Sequence, residues 1–188
     1  MTSTAKKILL HACCAPCSTH CVETLRGLGY EPTLFFSNSN IMPCEEYALR
    51  LETIRTYSQK AQVSLVEDFY DSDSWLNAVA GYESEPEGGT RCAKCFTHNL
   101  TRTGKYALKN GFAEFSTTLT VSPHKNSNLI FASGYNAATN LRADNSDAIT
   151  ATPQFMPFDF KKSNGFQNSI KLSRYYGLYR QSYCGCRV

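Results

Sequence analysis

The sequence has no long apolar run. No stretch approaches the roughly 18 residues that cross a bilayer. The run nearest the start, Ile8-Leu9-Leu10 between Lys7 and His11, falls short of the about 7–15 residues of a secretory core. Nor is there an excess of one charge: 19 Lys and Arg face 16 Asp and Glu, a net +3. Hydrophobic residues at 42% with only 19% charged residues exclude a disordered chain and fit a soluble globular protein. Internal repeats, low-complexity tracts and linkers are absent as well, so the 188 residues read as one domain, 1–188. These absences together predict a cytoplasmic protein. Cysteine, by contrast, is abundant, with nine in the chain. That lies below the roughly 8–10% of small secreted disulfide scaffolds, and the odd count leaves one thiol over in any fully paired framework. In a reducing compartment, clustered cysteines bind metal or do redox work more often than they form structural disulfides.

The pattern predicts an α/β fold with a parallel sheet flanked by helices. Lys7 to His11 reads as a buried strand, and Ser18 as the cap of a helix through Cys21, Val22 and Leu25, stopped by Gly27 and Gly29. Glu31 to Phe36 is the next strand, followed by the polar turn Ser37-Asn38-Ser39-Asn40. Pro43 opens an amphipathic helix carrying Tyr47, Leu51, Ile54 and Tyr57. Val63 to Phe69 is a strand and Asp71 to Val79 a short helix with Trp75, Leu76 and Val79 inward. After a polar loop, a helix runs from Arg91 to Lys109, then a strand from Glu114 to Thr120 and a helix to about Asn140. Ala148 to Phe158 reads as loop and strand, and Gln167 to Gly177 as the last helix. Strands and helices that alternate imply right-handed crossovers, and ligands then sit at the carboxyl ends of the strands. Cys13, Cys14 and Cys17 follow the first strand, and Asn38 and Asn40 the second, so they share that edge.

The cysteines fall in groups. Adjacent Cys13 and Cys14 suit separate irons of a cluster better than one small ion. Cys92 and Cys95, three apart in the first turn of a helix, add two thiolates on one face. Four thiolates are the usual set for a [4Fe–4S] or [2Fe–2S] cluster, and tetrahedral zinc is the competing occupant. Cys17 stays open between a further metal ligand and a residue packed beneath the cluster. Cys21 and Cys44 read as small buried apolar residues. Cys184-Gly185-Cys186 can close a strained, redox-active disulfide, with Gly185 supplying backbone freedom; the alternative is a pair of ligands for a second metal.

The C-terminal segment 151–188 is basic. It holds Lys161, Lys162, Lys171, Arg174, Arg180 and Arg187 against the single acid Asp159, interleaved with eight Phe and Tyr residues. Phosphates take such charge and unstacked bases stack on such rings, which suits a single-stranded nucleic acid; a solvated charged face is the plainer alternative.

Several motifs together resemble the QueH-type epoxyqueuosine reductases. They are Leu10-His11-Ala12-Cys13-Cys14-Ala15-Pro16-Cys17, Asn40-Ile41-Met42-Pro43 with Glu46-Tyr47 and Arg50, and Arg91-Cys92-Ala93-Lys94-Cys95-Phe96. Ser122-Pro123-His124-Lys125-Asn126, Asp159-Phe160-Lys161-Lys162 and Tyr179-Arg180-Gln181-Ser182-Tyr183-Cys184-Gly185-Cys186 complete the set. The resemblance implies an adenine nucleotide α-hydrolase-like (HUP-type) fold with the cluster at the carboxyl ends of the strands. It implies a cobalamin-independent enzyme that reduces the epoxide of epoxyqueuosine to queuosine at the wobble position of tRNA anticodons. Its partners would be that tRNA and an electron donor. By the resemblance Cys13, Cys14, Cys92 and Cys95 match cluster ligands of a [4Fe–4S] centre, and Cys184 and Cys186 match a terminal redox pair, near which a second iron is a further expectation. His11 is expected either to donate a proton or to hydrogen-bond a cluster sulfur. Asn38, Asn40, Lys125, Asp159, Lys161, Lys162 and Arg180 are the expected substrate-binding residues. The loop Ser37-Asn38-Ser39-Asn40-Ile41 departs from the family's Tyr-Asn-Pro-Asn-Ile, and the loss of an aromatic and a proline predicts a looser loop. Two other classes are weighed beside the reductase. A PP-loop-like tRNA sulfur transferase needs a glycine-rich phosphate loop after the first strand, and His11 to Ser18 contains no glycine. A zinc-stabilised RNA-binding module would hold zinc in place of iron.

Overall fold

A computed structural model describes residues 5–144 and 151–186. Arg187 of the basic segment and the first residues of the loop predicted from Ala148 lie outside the described residues. Five strands form one parallel sheet in the order β3-β2-β1-β4-β5: β1 Lys6–His11, β2 Tyr30–Phe36, β3 Ser64–Glu67, β4 Glu114–Thr117 and β5 Gln154–Phe155. Among the described residues six helices flank them: α1 Ala15–Gly27, α2 Cys44–Ala61, α3 Ser72–Val79, α4 Thr90–Lys109, α5 Ser127–Asp144 and, after the last strand, α6 Gly165–Tyr175. Among the described residues no helix is long and apolar enough to cross a membrane.

Both faces of the sheet are covered, which is why β1 reads as an unbroken apolar run rather than an alternating one. Ile8 and Leu10 point to the side of α1 and α2, with Leu34, Phe36, Ile54 and Tyr57. Leu9 points to the side of α4 and α5, with Phe35, Leu100, Phe115 and Ala137. Small residues allow close packing on that second side: a Cβ on Gly104 would come within 2.6 Å of Leu141, and one on Gly134 within 2.5 Å of Phe155.

The strand order places β1 between β2 and β4, so the chain reverses direction of growth there. The crevice at such a switch point is where ligands bind in open α/β sheets. It is flanked here by Cys13 after β1 and Thr118 after β4, with His11 in register with Thr117.

Three element boundaries differ from expectation. Helix α1 starts at Ala15 with Cys14 as its N-cap residue and Pro16 in the first turn, as suits a residue whose missing N–H needs no partner there. Ser18 therefore lies inside the helix, where its hydroxyl donates to the Cys14 carbonyl at 2.8 Å. The strand expected to reach Thr120 ends at Thr117, and residues Thr118–Val121 form a 3₁₀ turn, because the Thr117 hydroxyl accepts from Leu119 N at 3.2 Å and curls the chain. Cys44 is exposed at the start of α2, not a packing residue; Cys21 is fully buried on the inner face of α1.

The loop after β2 is not loosened by its two serines. Ser37 donates to Asp68 Oδ2 at 2.6 Å and Ser39 Oγ accepts from Asp71 N at 3.0 Å. Residues Ser37 to Asn40 are all buried. Side-chain hydrogen bonds to the β3–α3 connection hold the path here.

Candidate functional site

A cavity of about 510 Å³ opens at the carboxyl edge of the sheet. Its walls come from the β1–α1 turn, the loop after β2, the first turns of α4, the segment before α5, and the C-terminal tail.

Starting α1 at Ala15 decides the position of Cys17. One helical turn beyond the cap, it swings back toward Cys13 and Cys14, and the three sulfurs lie within 4.8 Å of one another. The Thr118 hydroxyl accepts from Cys13 N at 3.0 Å and donates to Cys13 Sγ at 3.2 Å, which ties the trio to β4. Hydrogen bonds from Cys13 and Cys17 hold the Cys14 thiol well below its ordinary range. The hydrogen bond to Cys14 pushes Cys13 up to about 12, and hydrogen bonds with Cys13 and Cys14 raise Cys17.

Cys92 sits in the first turn of α4 and Cys95 in the second, outside that compact group. Cys95 lines the cavity, and burial pushes its thiol up to about 12. Cys92 accepts a hydrogen bond from Gly88 N at 3.2 Å and belongs to the core cluster against which Cys13 packs.

The tail returns across the mouth of the cavity. Met42 N donates to Gly185 O at 2.8 Å, and Arg50 donates to the carbonyls of Cys184 at 2.8 Å and Tyr183 at 3.3 Å. Gly185 has φ of +100°, the left-handed region that favours glycine. Cys184 lines the cavity, and its thiol is lowered to about 5, first by a hydrogen bond with Cys186 and then by the Lys125 ammonium, 3.5 Å away. Burial alone would lower the Lys125 amine, but Cys184, Cys13, Glu87 and Cys92 outweigh it and hold Lys125 charged.

The remaining expected residues divide. Asn38, Asn40, Lys125 and Arg180 line the cavity. Asn38 spends its amide on the Ala12 carbonyl at 2.8 Å, and Asn40 Oδ1 accepts from Asn99 at 3.0 Å. His11, Asp159, Lys161 and Lys162 are not on the cavity wall. His11 is fully buried, its ring within 2.9 Å of the Thr117 hydroxyl and 3.1 Å of the Ser37 carbonyl. These partners place the proton on Nε2, and burial lowers the ring's pKa to about 4, so it is neutral. Asp159 accepts from Ser127 at 3.0 Å, and Lys161 donates to the Lys125 carbonyl at 2.6 Å.

Sequence reasoning missed Asn99, Gln181, Thr118 and the Glu46–Arg50 pair as parts of this site. Asn99 carried a usable signal: it follows Cys95 by four residues and shares its helix face. The others are brought in by long-range contacts that no spacing announces.

The family model for epoxyqueuosine reductase QueH matches residues 8–188. An epoxyqueuosine reductase QueH from Streptococcus pyogenes serotype M1 is 37% identical over 190 residues, covering 98% of this chain and 70% of that protein. The one from Thermotoga maritima is 32% identical over 182 residues, covering 95% of this chain and 88% of the relative. Among solved structures, the U34-tRNA thiolase NcsA from Methanococcus maripaludis, determined with its [4Fe-4S] cluster, superposes with a TM-score of 0.56 at 10% identity. The match covers 98% of this chain and 62% of the thiolase. It establishes the adenine nucleotide α-hydrolase-like fold.

Proposed function

Since the chain belongs to the epoxyqueuosine reductase QueH family, we propose that it reduces the epoxide of epoxyqueuosine to the alkene of queuosine at the wobble position of tRNA, a cytoplasmic reaction. The observation that carries this reading is that the compact Cys13–Cys14–Cys17 group and Cys184 of the tail line one cavity, with Cys186 behind Cys184 against Cys95 and Trp75. The donor set is all sulfur and half-buried or buried, which fits an iron–sulfur cluster and does not fit a hard cation. Cys13, Cys14, Cys92 and Cys95 would hold a [4Fe–4S] cluster, with Cys17 as a further donor beside them. When bound, that cluster supplies single electrons.

The reaction breaks both epoxide C–O bonds, forms the C=C bond and releases the oxygen as water. It consumes two electrons and two protons. Cys184 as thiolate and Cys186 as thiol supply both electrons and one proton on closing to the disulfide, solvent supplies the second proton, and a reductant from outside the chain restores the open pair. Lys125 stands beside Cys184 and keeps it as the thiolate. His11, uncharged and held by Thr117 and Ser37, positions the strand end beneath the cavity and keeps no nitrogen for substrate. Exposed Lys162, Lys171 and Arg174 of the C-terminal segment take phosphates and the exposed Tyr175 ring offers a stacking face, whereas Phe155 and Phe160 are spent in the core.

Anaerobic purification, iron and sulfide analysis, and incubation with epoxyqueuosine-containing tRNA and dithionite test this. Brown protein that converts the nucleoside supports the reading. Unchanged nucleoside in the presence of an intact cluster overturns it, and colourless protein with one zinc makes the chain an RNA-binding module.

A further inference from the structure

The loop before α4 carries Glu83, Glu85 and Glu87, and the first two are spent within it. Glu83 Oε1 accepts from Gly81 N at 3.0 Å, and Glu85 Oε2 accepts from Thr90 N at 3.0 Å at the start of the helix. Glu87 has no such commitment. Among the described residues its carboxylate accepts no hydrogen bond, and its one ion pair is with the Lys125 ammonium, 3.6 Å from Oε1. That separation exceeds the roughly 2.7–2.9 Å of a charge-assisted hydrogen bond. The Glu87 side chain is 53% exposed, so its oxygens are open to a donor from outside the chain. The position is unusual for an acid. Among the described residues that line the cavity, Glu87 is the only Asp or Glu, on a wall that also holds Arg50, Lys125 and Arg180. The Lys125 ammonium that it approaches lies 3.5 Å from Cys184 Sγ. The open carboxylate and the tail sulfur therefore share one cation, which sets the carboxylate beside the thiol.

We propose that Glu87 binds the substrate's ammonium. This rests on the reductase reading above and deepens it. Epoxyqueuosine joins its cyclopentane ring to the deazaguanine through a secondary amine, which is protonated at neutral pH. That nitrogen is a cation set in an anionic strand. A carboxylate attracts it and repels the flanking phosphates, whereas the Arg and Lys residues of the same wall do the reverse. Lys125 keeps Cys184 as its partner when Glu87 engages the substrate. The epoxide begins on the carbon next to the one that bears the nitrogen. An ammonium seated on Glu87 therefore brings the epoxide into the neighbourhood of Cys184.

The test compares binding of the holoenzyme, without added reductant, to three tRNAs that differ only at the wobble base. One carries epoxyqueuosine, one the aminomethyl deazaguanine that has an ammonium but no ring, and one plain guanine. Reduction leaves the ammonium in place, so a single turnover during the measurement does not alter the readout. Glu87→Gln keeps the shape and removes the charge. It should weaken binding of both ammonium-bearing tRNAs by about ten-fold, the scale of one hydrogen bond to a charged group. Binding of the guanine tRNA should stay unchanged, which also reports that the variant is folded. Glu85→Gln makes the same charge change in the same loop and should leave all three affinities as they are. Equal loss on the three tRNAs, no loss on any, loss on the epoxyqueuosine tRNA alone, or the same pattern from Glu85→Gln overturns the subsite. Reduction of epoxyqueuosine by the wild type with dithionite is measured alongside. If it proceeds while Glu87→Gln shows no selective loss, the subsite alone fails. If the wild type keeps its cluster, reduces nothing and binds the three tRNAs alike, the reductase reading fails with it.

Discussion

At the scale of single residues, the clearest electrostatic feature is Lys125. Its ammonium is 12% exposed on the side chain, 3.5 Å from Cys184 Sγ and 3.6 Å from Glu87 Oε1. It also stands 5.6 Å over the Phe96 ring. A thiol lowered to about 5 is a thiolate throughout the neutral range, and only the thiolate attacks. In the reduced protein, alkylation of Cys184 by iodoacetamide should rise through about pH 5 and be flat above it. Lys125→Met removes the positive neighbour, so the midpoint should move up toward the roughly 8.5 of an ordinary thiol. Mass spectrometry of the modified peptide across pH checks this. An unmoved midpoint would assign the thiolate to the Cys186 hydrogen bond alone.

At the scale of elements, α2 is the lock for the C-terminal tail. Glu46 and Arg50, four apart on its inner face, form a buried pair at 2.6 Å, and the Arg50 guanidinium reaches on to two tail carbonyls. Tyr179 donates its hydroxyl to Glu46 at 3.1 Å, closing the clamp. Arg50→Met leaves the Glu46 carboxylate buried and uncompensated, a loss of about 3–5 kcal/mol that urea unfolding will measure. Burial alone would raise the Glu46 carboxyl, but Arg50, Tyr183 and Tyr179 outweigh it and hold it low. Its stabilisation is therefore complete above the unfolded value of about 4.3 and is lost as pH falls through the lower folded value. Gly185→Ala tests the same lock from the tail. A Cβ there would lie 3.1 Å from Arg50 Nη2 in a left-handed backbone, so docking should weaken by about 1 kcal/mol or more. The Cys184–Cys186 equilibrium with glutathione should shift with it. Most elements were legible from periodicity and punctuation, because the apolar faces of α2, α3 and α4 carry their spacing openly. The start of α1 was misjudged because Ser18 is a good cap by type, whereas Pro16 marks the true first turn. The cysteine clusters stood out by their spacing, but the place of Cys17 beside Cys13 and Cys14 was left open and follows from where α1 starts. Arg50 and Gln181 were not legible as site residues, since their roles arise only when the tail, more than 130 residues beyond Arg50, folds back onto α2.

At the scale of the whole molecule, charge and site are arranged differently from the sequence pattern. The basic C-terminal segment does not act as one patch. Arg180 enters the cavity wall and Lys161 braces the Lys125 carbonyl, while Lys162, Lys171 and Arg174 stay exposed. The first two are engaged within the fold, and under the proposed function the exposed three take phosphates. This division predicts two separable phenotypes. Neutralising exposed charge should weaken every tRNA alike, because phosphate contacts position the partner without reading it. Each lost contact lowers the slope of log K against log salt by about 0.7–0.9. The variant Lys162→Ala with Lys171→Ala should therefore bind tRNA more weakly at 50 mM salt, show a shallower salt dependence, and leave turnover at saturating tRNA unchanged. Fluorescence anisotropy across a salt series, with saturated turnover measured beside it, checks both parts. A slope equal to that of the wild type would mean that this face is merely solvated and that the tRNA approaches from the α4 side of the cavity.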